Sequence, residues 1–521
     1  KSPPPPRRLG SGRDHASPSP PVNAALVVLD GATMSVGAVE RVARGHAPVR
    51  LSEAAWQRNV AARETLARLI ARGEPIYGVS TGVGSLRDYA IEDEDRDEFP
   101  LRLLRSHACG AGPELAAETV RAAMAIRANQ IGAGGAGVTS ELLDALIGAL
   151  NAGITPVTRE LGSLGTGDLT ALADIGLTLL GEGWARVRDE VQAAGPALAA
   201  AGVAPGALGP RDGLAFISSN AVTVGQAALL VLDVARLLDV WLTVAALSFE
   251  AAGADPRVLD TRVHSHAHRR GQSAVAARMR ELLDGYPSAG RPRESRAIQD
   301  PYPFRALPQV DGAVHEALSA LEETVGHELN LAGENGLIIA EEELILHNGN
   351  PHAAPLAGAI DHLRMAVAQS AALIAARVST LLDANFTGLA PFLAQRPGPD
   401  SGALVLEYTA HAAAAEVRSL VTPVAAQTVS VSRGVESHSS LAPIAARRAH
   451  ETLGPLQVLI ATELVVAVRA LDLAGVAPVG RGTQPLFAAA GAVLSHELAD
   501  RALHPDVEAA RVLVGEWRAP V

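Results

Sequence analysis

Cysteine is almost absent from this chain, since Cys109 is the only one among 521 residues. A single cysteine cannot form a disulfide within the chain, so the fold needs no oxidising compartment. Aromatic residues are also scarce, at 3% of the sequence, whereas apolar residues make up 48% and are dominated by alanine and leucine. This composition is typical of long packed helices rather than of sheets.

Basic residues are outnumbered by acidic ones: the chain has 44 Lys and Arg residues and 56 Asp and Glu residues, which gives a net charge of −12. An acidic surface disfavours nucleic-acid partners and anionic membranes. Long uninterrupted apolar runs are also missing, and the best candidate, residues 227–252, contains four charged side chains. We therefore expect no membrane span, and cytoplasmic residence is the default prediction.

Two further segments limit the interpretation. Residues 1–22 are rich in proline, serine and arginine and predict a disordered tail that lacks the apolar stretch of a secretory signal. Residues 264–268, HSHAH, carry alternating histidines, but the arginines that flank them are poor neighbours for a cation. We therefore predict no metal site.

The chain is organised around residues 161–183, LGSLGTGDLTALADIGLTLLGEG, which change character at Asp168. Glycines crowd the segment before Asp168, and after it apolar residues recur at the spacing of one helix face. Asp168 is placed to cap this helix by accepting hydrogen bonds from its first N–H groups. The turn would then lie where a helix stabilises negative charge. A tight turn that leads into a core helix would produce the same pattern, and the turn alone favours that simpler interpretation.

The segment GSLG-TGDL-ALA resembles the signature of the aromatic amino acid ammonia-lyase family, which comprises histidine, phenylalanine and tyrosine lyases and related aminomutases. In that family an x-Ser-Gly tripeptide cyclises to 4-methylideneimidazol-5-one, the electrophile that attacks the substrate. Here the tripeptide is one residue short, and Gly165-Thr166-Gly167 contains no serine. Either the serine is deleted and no electrophile forms, or Thr166 itself dehydrates to give a methylated, more hindered ring.

A second stretch, IQDPYPFRALPQVDG, resembles the family pattern QD-YS-R--PQV-G. The matching positions are Gln299, Asp300, Tyr302, Arg305, Pro308, Gln309, Val310 and Gly312. The resemblance implies that Arg305 clamps the substrate α-carboxylate through two parallel hydrogen bonds. It also implies that Tyr302 supports the electrophile and the substrate, and that Gln299 contributes to substrate binding.

Three shorter segments supply further candidate catalytic residues. IYGVSTGVGSL resembles the family loop whose tyrosine is the catalytic base, which implies that role for Tyr77. GLAFISSN resembles GLAL-NGT, and the family asparagine that holds the electrophile and the substrate amine falls on Ser218, with Asn220 two positions later. LHNGNPHAAPL resembles SGGNFHGEPL, so Asn350 matches and Pro351 replaces the phenylalanine that packs on the substrate ring.

Other segments indicate which ring the substrate carries. Ser106-His107 in LRLLRSHACGAG resembles the selector pair of the members that act on histidine. VESHSS resembles QEDHVSM of the histidine lyases, in which the glutamate, here Glu436, binds the imidazole. Asn330 keeps its place in ELNLAGEN and is assigned to substrate binding. A benzene ring would leave such polar groups unpaired.

The resemblance implies a mostly α fold, with an irregular N-terminal active-site domain at 23–213 and a long-helix bundle at 214–521. It also implies a homotetramer whose active sites are assembled from several subunits. The implied partner is a small amino acid-like ligand, and the only cofactor implied is the methylideneimidazolone.

Two functions remain open at this stage. The first is elimination of ammonia from a histidine-like or aromatic amino acid to give an α,β-unsaturated acid. The second is a homologue without the electrophile that binds an amino acid-like ligand for another reaction or is catalytically inactive. Tyr77, Tyr302 and Arg305 favour the first, whereas the missing serine, Ser218 and Pro351 favour the second.

Overall fold

The computed structural model describes residues 25–288 and 298–518, so the predicted tail at 1–22 lies outside the described residues. The described chain is mostly helical, which confirms the predicted fold class. Its helices are α1 (Val36–Ala43), α2 (Glu53–Ala71), α3 (Phe99–His107), α4 (Ala117–Ala133), α5 (Ser140–Asn151), α6 (Leu169–Leu179), α7 (Ala194–Ala200), α8 (Asp212–Ile217), α9 (Ala221–Ala252), α10 (Thr261–Ser265), α11 (Arg270–Leu282), α12 (Tyr302–Arg305), α13 (Leu307–Leu329), α14 (Ala354–Leu382), α15 (Ala384–Thr387), α16 (Leu406–Ser419), α17 (Ala442–Ala474), α18 (Gln484–Gly491) and α19 (His504–Glu516).

Short strands form four small sheets within the described residues. The strands are β1 (Val27–Leu29), β2 (Val49–Leu51), β3 (Ala111–Glu114), β4 (Ile154–Pro156), β5 (Arg159–Leu161), β6 (Trp184–Val187), β7 (Glu190–Ala193), β8 (Leu337–Ile339) and β9 (Leu344–Leu346). β1 pairs with β2 in parallel. The pairs β3–β5, β4–β6, β6–β7 and β8–β9 are antiparallel.

The chain divides into two compact units that are not consecutive segments. The first comprises the described residues of Lys1–Leu230, Glu322–Gly358 and Val424–Ala446, and the second those of Val231–Leu321, Ala359–Pro423 and Arg447–Val521. The division differs from the predicted boundary between residues 213 and 214. One reason is that Glu322–Gly358 and Val424–Ala446, which follow residue 214, pack in the first unit. Their contacts join residues that are distant in the chain, which the sequence does not show.

Helix α4 is the core of the first unit and is buried from Thr119 to Gly132. Helices α1, α2 and α5 pack against it. Its buried Arg127 pairs with the equally buried Glu334 at 3.1 Å and donates to the backbone carbonyls of Ala215 and Phe216. Because a buried guanidinium is stable only when it is paired and hydrogen-bonded, this network fixes α8 against α4.

The second unit has its own buried ionic network. Glu463 accepts hydrogen bonds from the Arg377 guanidinium at 2.7 and 3.0 Å and from Ser248 at 2.7 Å, and neither member of the ion pair is exposed. Ser370 donates to the buried Asp311 at 2.6 Å. Phe304 contacts both Phe249 and Phe386, with ring centroids 5.2 and 5.3 Å away.

One helix among the described residues, α14, is long and apolar enough to span a membrane by length and composition. In the sequence, residues 227–252 were instead the best candidate for a membrane span. In the structure 61% of the most apolar window of α14 is buried within the protein, which is the pattern of a core helix. The expected cytoplasmic residence stays a prediction.

Candidate active site

The Gly165-Thr166-Gly167 turn lies in the first unit and depends on glycine at both ends. Gly165 has φ +87° and Gly167 has φ +111°, a region that favours glycine. A Cβ atom on Gly165 would lie 2.0 Å from the Ser440 hydroxyl oxygen, so the position also lacks room for a side chain. The sequence therefore shows glycine here for steric as well as conformational reasons.

Hydrogen bonds from distant segments hold the turn. The Gly165 carbonyl accepts from the Ser440 hydroxyl at 2.8 Å and from the Ala353 backbone N–H at 3.1 Å. The Gly167 N–H donates to Asn220 Oδ1 at 3.1 Å. The residues 353 and 440 were not singled out by the sequence, because nothing local marks a partner that lies nearly 200 or more positions away.

Glu436 contacts Thr166, the central residue of this turn. The half-buried Thr166 hydroxyl donates to the Glu436 carboxylate, with 3.0 Å between Oγ1 and Oε2. The predicted ring-binding glutamate and the predicted cofactor-forming segment are thus in direct contact.

Asp168 occupies the N-cap position of α6, as predicted, but its carboxylate does not accept a hydrogen bond from that helix. It accepts instead from the Thr223 N–H and hydroxyl, both at 2.8 Å, and from the Ser163 hydroxyl at 2.8 Å. Thr223 lies in the first turn of α9, so Asp168 caps the neighbouring helix. Burial raises the pKa of the Asp168 carboxyl, while these hydrogen bonds act in the opposite direction.

The side chain that contacts the turn is the amide of Asn220, not the hydroxyl of Ser218. Asn220 accepts from Gly167 and donates to the Pro351 carbonyl at 2.6 Å. Ser218 is buried just after α8, where its side chain makes no hydrogen bond within the described residues. Ser218, onto which the family asparagine aligns, therefore makes no side-chain hydrogen bond with the turn. The backbone leaves the helical conformation at Ser218, and it is Asn220 that reaches the turn.

Tyr77 lies in the same unit and is half-buried. Its hydroxyl oxygen accepts the Gly84 N–H at 2.6 Å, and its ring meets the His347 ring edge-on at 6.2 Å. Burial, followed by the negative charge of Glu436, raises the pKa of Tyr77 above its usual value, although the Gly84 N–H opposes the change. The phenol is therefore protonated near neutral pH, whereas a general base acts best with a pKa near the operating pH.

The predicted selector pair lies at the end of α3, which packs against α6 and α8. Both the Ser106 hydroxyl and His107 Nδ1 lie 2.9 Å from the Leu103 carbonyl, and they are 3.1 Å from each other. The Ser106 side chain is exposed and His107 is half-buried. These bonds orient the two side chains without burying them.

Asn330 and Asn350 make hydrogen bonds within the first unit. The Asn330 amide accepts from Met34 N–H and Asn129 and donates to two carbonyls, those of Met34 and Gly326, so it ties the N-terminal segment to α13. Asn350 is exposed, and its backbone N–H donates to Asn348 Oδ1 at 2.8 Å. Substrate contacts by either side chain stay a prediction.

A histidine pair was missed by the sequence analysis. His352 Nε2 and His438 Nδ1 are 3.0 Å apart, and the ring centroids are 5.0 Å apart. The pair joins the two segments that hold the Gly165 carbonyl, through Ala353 directly after His352 and Ser440 two positions after His438. The family motifs contain both histidines, but only the fold brings them together.

The remaining predicted residues lie in the second unit. The Arg305 guanidinium carbon lies 3.9 Å from the centroid of the Tyr302 ring, a cation–π contact. The Arg305 side chain makes no hydrogen bond or ion pair within the described part of the chain, and its Nε atom is buried. Tyr302 is 62% exposed and Gln299 is exposed. An arginine held by stacking alone keeps its donors available for a carboxylate.

The turn does not fit the methylideneimidazolone. Ring closure would require the Gly167 nitrogen to attack the Gly165 carbonyl carbon, yet that N–H is held by Asn220. The hydroxyl of Thr166, which would have to leave as water, donates to a carboxylate, and donation to an acceptor makes a hydroxyl a poorer leaving group. The serine that the family uses is also missing. We therefore derive no chemical step through this group.

No group of three or more histidine, cysteine, aspartate or glutamate side chains among the described residues could hold a metal ion. His264 of the HSHAH segment is buried, and its ring nitrogens lie 3.0 Å from the Val258 carbonyl and from the Gln272 amide. These contacts give His264 a structural role in the second unit.

The family model described as aromatic amino acid lyase matches residues 34–492. A histidine ammonia-lyase of Symbiobacterium thermophilum is 35% identical over 494 residues, which cover 94% of this chain and 97% of the relative. A histidine ammonia-lyase of Streptomyces griseus is 37% identical and covers 92% and 95%.

Solved structures of similar proteins cover most of the chain as well. The ergothioneine-degrading enzyme ergothionase of Treponema denticola, in complex with desmethyl-ergothioneine sulfonic acid, superposes with a TM-score of 0.91 at 28% identity, covering 94% of this chain and 98% of that one. Histidine ammonia-lyase of Trypanosoma cruzi superposes with a TM-score of 0.86 at 27% identity and covers 94% and 93%.

Proposed function

Because the chain belongs to the aromatic amino acid lyase family, we propose that it eliminates the α-nitrogen of an amino acid with an imidazole ring and leaves an α,β-unsaturated acid. The observation that carries the choice of ring is the placement of the Glu436 carboxylate on Thr166, at the centre of the turn. Glu436 can accept the N–H of an imidazole, whereas a benzene ring offers no donor. The names of the relatives agree, since histidine and ergothioneine both carry an imidazole ring.

We assign three roles to residues of this chain. Arg305 binds the α-carboxylate, which its unpaired guanidinium suits. Glu436 binds the ring. Tyr77 takes the β-proton, and it must first lose its own proton, because burial raises its pKa. The Gly84 N–H supports the phenolate once it forms. The homotetramer that the resemblance implies stays a prediction.

A second candidate function is ligand binding without catalysis. The observation that favours it is the poor fit of Gly165-Thr166-Gly167 to the electrophile. The two candidates differ in one measurement. Appearance of the conjugated ultraviolet absorbance of an unsaturated acid from any imidazole-bearing amino acid supports elimination, and binding without such absorbance supports the second candidate.

Replacing Arg305 with lysine should weaken binding of histidine by about 1.5–3 kcal/mol, the range for hydrogen bonds to charged groups. Lysine keeps the charge but loses the planar pair of donors and the stacking on Tyr302. Isothermal calorimetry measures the change. Arg262→Lys is the matched control, because Arg262 is 85% exposed and already paired with Asp260. Unchanged affinity in the Arg305→Lys protein, with its circular dichroism intact, would show that Arg305 is structural.

Phenylalanine should bind more weakly than histidine by about 1–3 kcal/mol for each buried polar group that it leaves unsatisfied. The half-buried Glu436 is the principal group that the phenylalanine ring would leave without a donor, and the less enclosed Ser106-His107 pair would add a smaller effect. Calorimetric titration of both amino acids tests this, and Glu436→Gln should reduce the preference because it removes the carboxylate charge. Equal affinities for the two ligands in the unaltered protein would refute the assignment of the ring.

A further inference from the structure

The loop at residues 76–91 carries Tyr77 and makes most of its hydrogen bonds within itself. The Gly84 N–H donates to the Tyr77 hydroxyl oxygen at 2.6 Å. Residues 86–90 at the tip are exposed. Two backbone hydrogen bonds of 3.0 Å close the loop, from Gly82 to Tyr89 and from Ile91 to Ser80. The loop therefore depends on few contacts with the rest of the chain to fix its tip.

A single hydrogen bond ties this loop to a distant segment. The Ser85 N–H donates to Ser432 Oγ at 3.0 Å, across 347 positions in the chain. Among the described residues, no other hydrogen bond connects residues 76–91 with another segment. The contact is close, because a Cβ atom on Gly84 would lie 2.8 Å from Ser432 Oγ. The Ser432 hydroxyl thus holds the part of the loop whose N–H binds the Tyr77 phenol.

Ser432 lies in a closed turn that ends at Glu436. The Val431 N–H donates to the Glu436 carbonyl at 2.9 Å and closes residues 431–436. Within this turn Ser432 and Arg433 have φ +54° and +56°, a region that residues other than glycine rarely adopt. Such a backbone persists only where its surroundings hold it. The hydrogen bond to the loop is one of the contacts that hold it.

We propose that Ser432 is a positioning residue that sets the phenol of Tyr77 relative to the carboxylate of Glu436. This inference rests on the proposed function, in which Tyr77 takes the β-proton while Glu436 binds the ring. Ser432 contacts both segments, because its hydroxyl holds the loop and its carbonyl accepts the Val435 N–H at 3.1 Å within the turn. A base displaced by about 1 Å from its target can lose about 100-fold in rate.

Electrostatics agree with this arrangement. Burial and then the negative charge of Glu436 raise the pKa of Tyr77, so the two side chains interact across the gap that Ser432 spans. A loop that moves away from residues 431–436 would change both the position of the phenol and the charge that acts on it. Ser432 therefore affects the base without touching it.

The experiment uses two variants of Ser432 in the full chain. Ser432→Gly removes the hydroxyl and suits the left-handed backbone, so the turn keeps its shape. Ser432→Ala removes the hydroxyl and keeps the backbone strain. Ser430→Ala is the matched control, since Ser430 is exposed in the same segment and its side chain makes no hydrogen bond within the described residues.

Two quantities are measured for each protein. Ultraviolet absorbance follows formation of the unsaturated acid from L-histidine, and mass spectrometry follows amide hydrogen exchange in peptides that cover residues 82–90. In both Ser432 variants we expect kcat to fall about 10–100-fold while KM changes much less. Exchange should be about two- to tenfold faster, because the Ser85 N–H loses its acceptor. Ser430→Ala should match the unaltered chain in both measurements.

The outcomes separate this inference from the function that it extends. Faster exchange with unchanged kcat would show that Ser432 only stabilises the loop, which overturns the inference and leaves the elimination standing. Unchanged exchange, or a loss of kcat in Ser432→Ala but not in Ser432→Gly, would also overturn it, because the hydroxyl would then not be the tether. If the unaltered chain forms no unsaturated acid from histidine, the proposed elimination fails, and this inference fails with it.

Discussion

Replacing Glu463 with glutamine should lower the free energy of unfolding by about 3–5 kcal/mol, the cost of removing one partner of a buried ion pair. Glu463 is fully buried and carries both hydrogen bonds that Arg377 donates to a carboxylate, in addition to the one from Ser248. The variant leaves the buried Arg377 charge without the carboxylate that accepts its hydrogen bonds, and the nearby Asp311 compensates it less than Glu463 does. That poorly compensated charge, rather than the lost attraction, accounts for most of the expected effect.

Urea unfolding followed by circular dichroism measures the change as a shift of the midpoint. The matched control is the double variant Arg377→Met with Glu463→Leu, which removes both charges and keeps the volume apolar. Replacing a buried pair in this way is often neutral or stabilising, so the double variant should be more stable than the single one. A single variant that unfolds at the same urea concentration as the unaltered protein would show that the pair contributes nothing.

Raising the pH through the range between the two pKa values of Asp311 should cost the folded state about 3 kcal/mol. Burial raises the pKa of Asp311 from 3.8 to about 6, and the nearby Arg377 only partly opposes this. Because the folded chain holds this proton more tightly than the unfolded chain, the contribution to stability is fully present below the unfolded pKa. It is lost as the pH rises to the folded pKa.

The variant Asp311→Asn isolates this effect from other titrating groups. Asparagine keeps an oxygen for the Ser370 hydroxyl, which lies 2.6 Å from the carboxylate, but it has no proton to release. The urea midpoint should therefore fall less with pH in the variant than in the unaltered protein over this range. If both proteins show the same slope, Asp311 does not titrate as its burial implies.

The sequence by itself determined the family and the fold class, because both depend on residue types at fixed spacing. The Gln299–Gly312 stretch places Tyr302 and Arg305 three residues apart, and a short helix turns that spacing into stacking. The alanine- and leucine-rich composition predicted long helices, and α9 runs through Ala221–Ala252. These features are local, so no knowledge of distant contacts is needed.

Local cues failed where burial overrode them. Proline favours the first turn of a helix, yet α17 runs from Ala442 to Ala474 with Pro455 inside it. Proline removes one hydrogen bond and crowds the preceding turn, but extensive burial of the surrounding apolar residues outweighs this local cost. Asp168 was likewise correctly predicted to lie at the start of a helix. The sequence did not show that its carboxylate would accept hydrogen bonds from the first turn of α9 instead of from α6.

Only the tertiary structure decided which partner each polar group of the turn acquires. Thr166 and Glu436 are 270 positions apart, and Gly165 and Ser440 are 275 apart. The placement of Asn220 rather than Ser218 on Gly167 depends on where the backbone leaves α8, which alignment of motifs does not specify. Residue types and their spacing show which chemical groups the chain has, but a hydrogen bond forms only over about 3 Å. The partner of each polar group is therefore decided by how distant segments pack together.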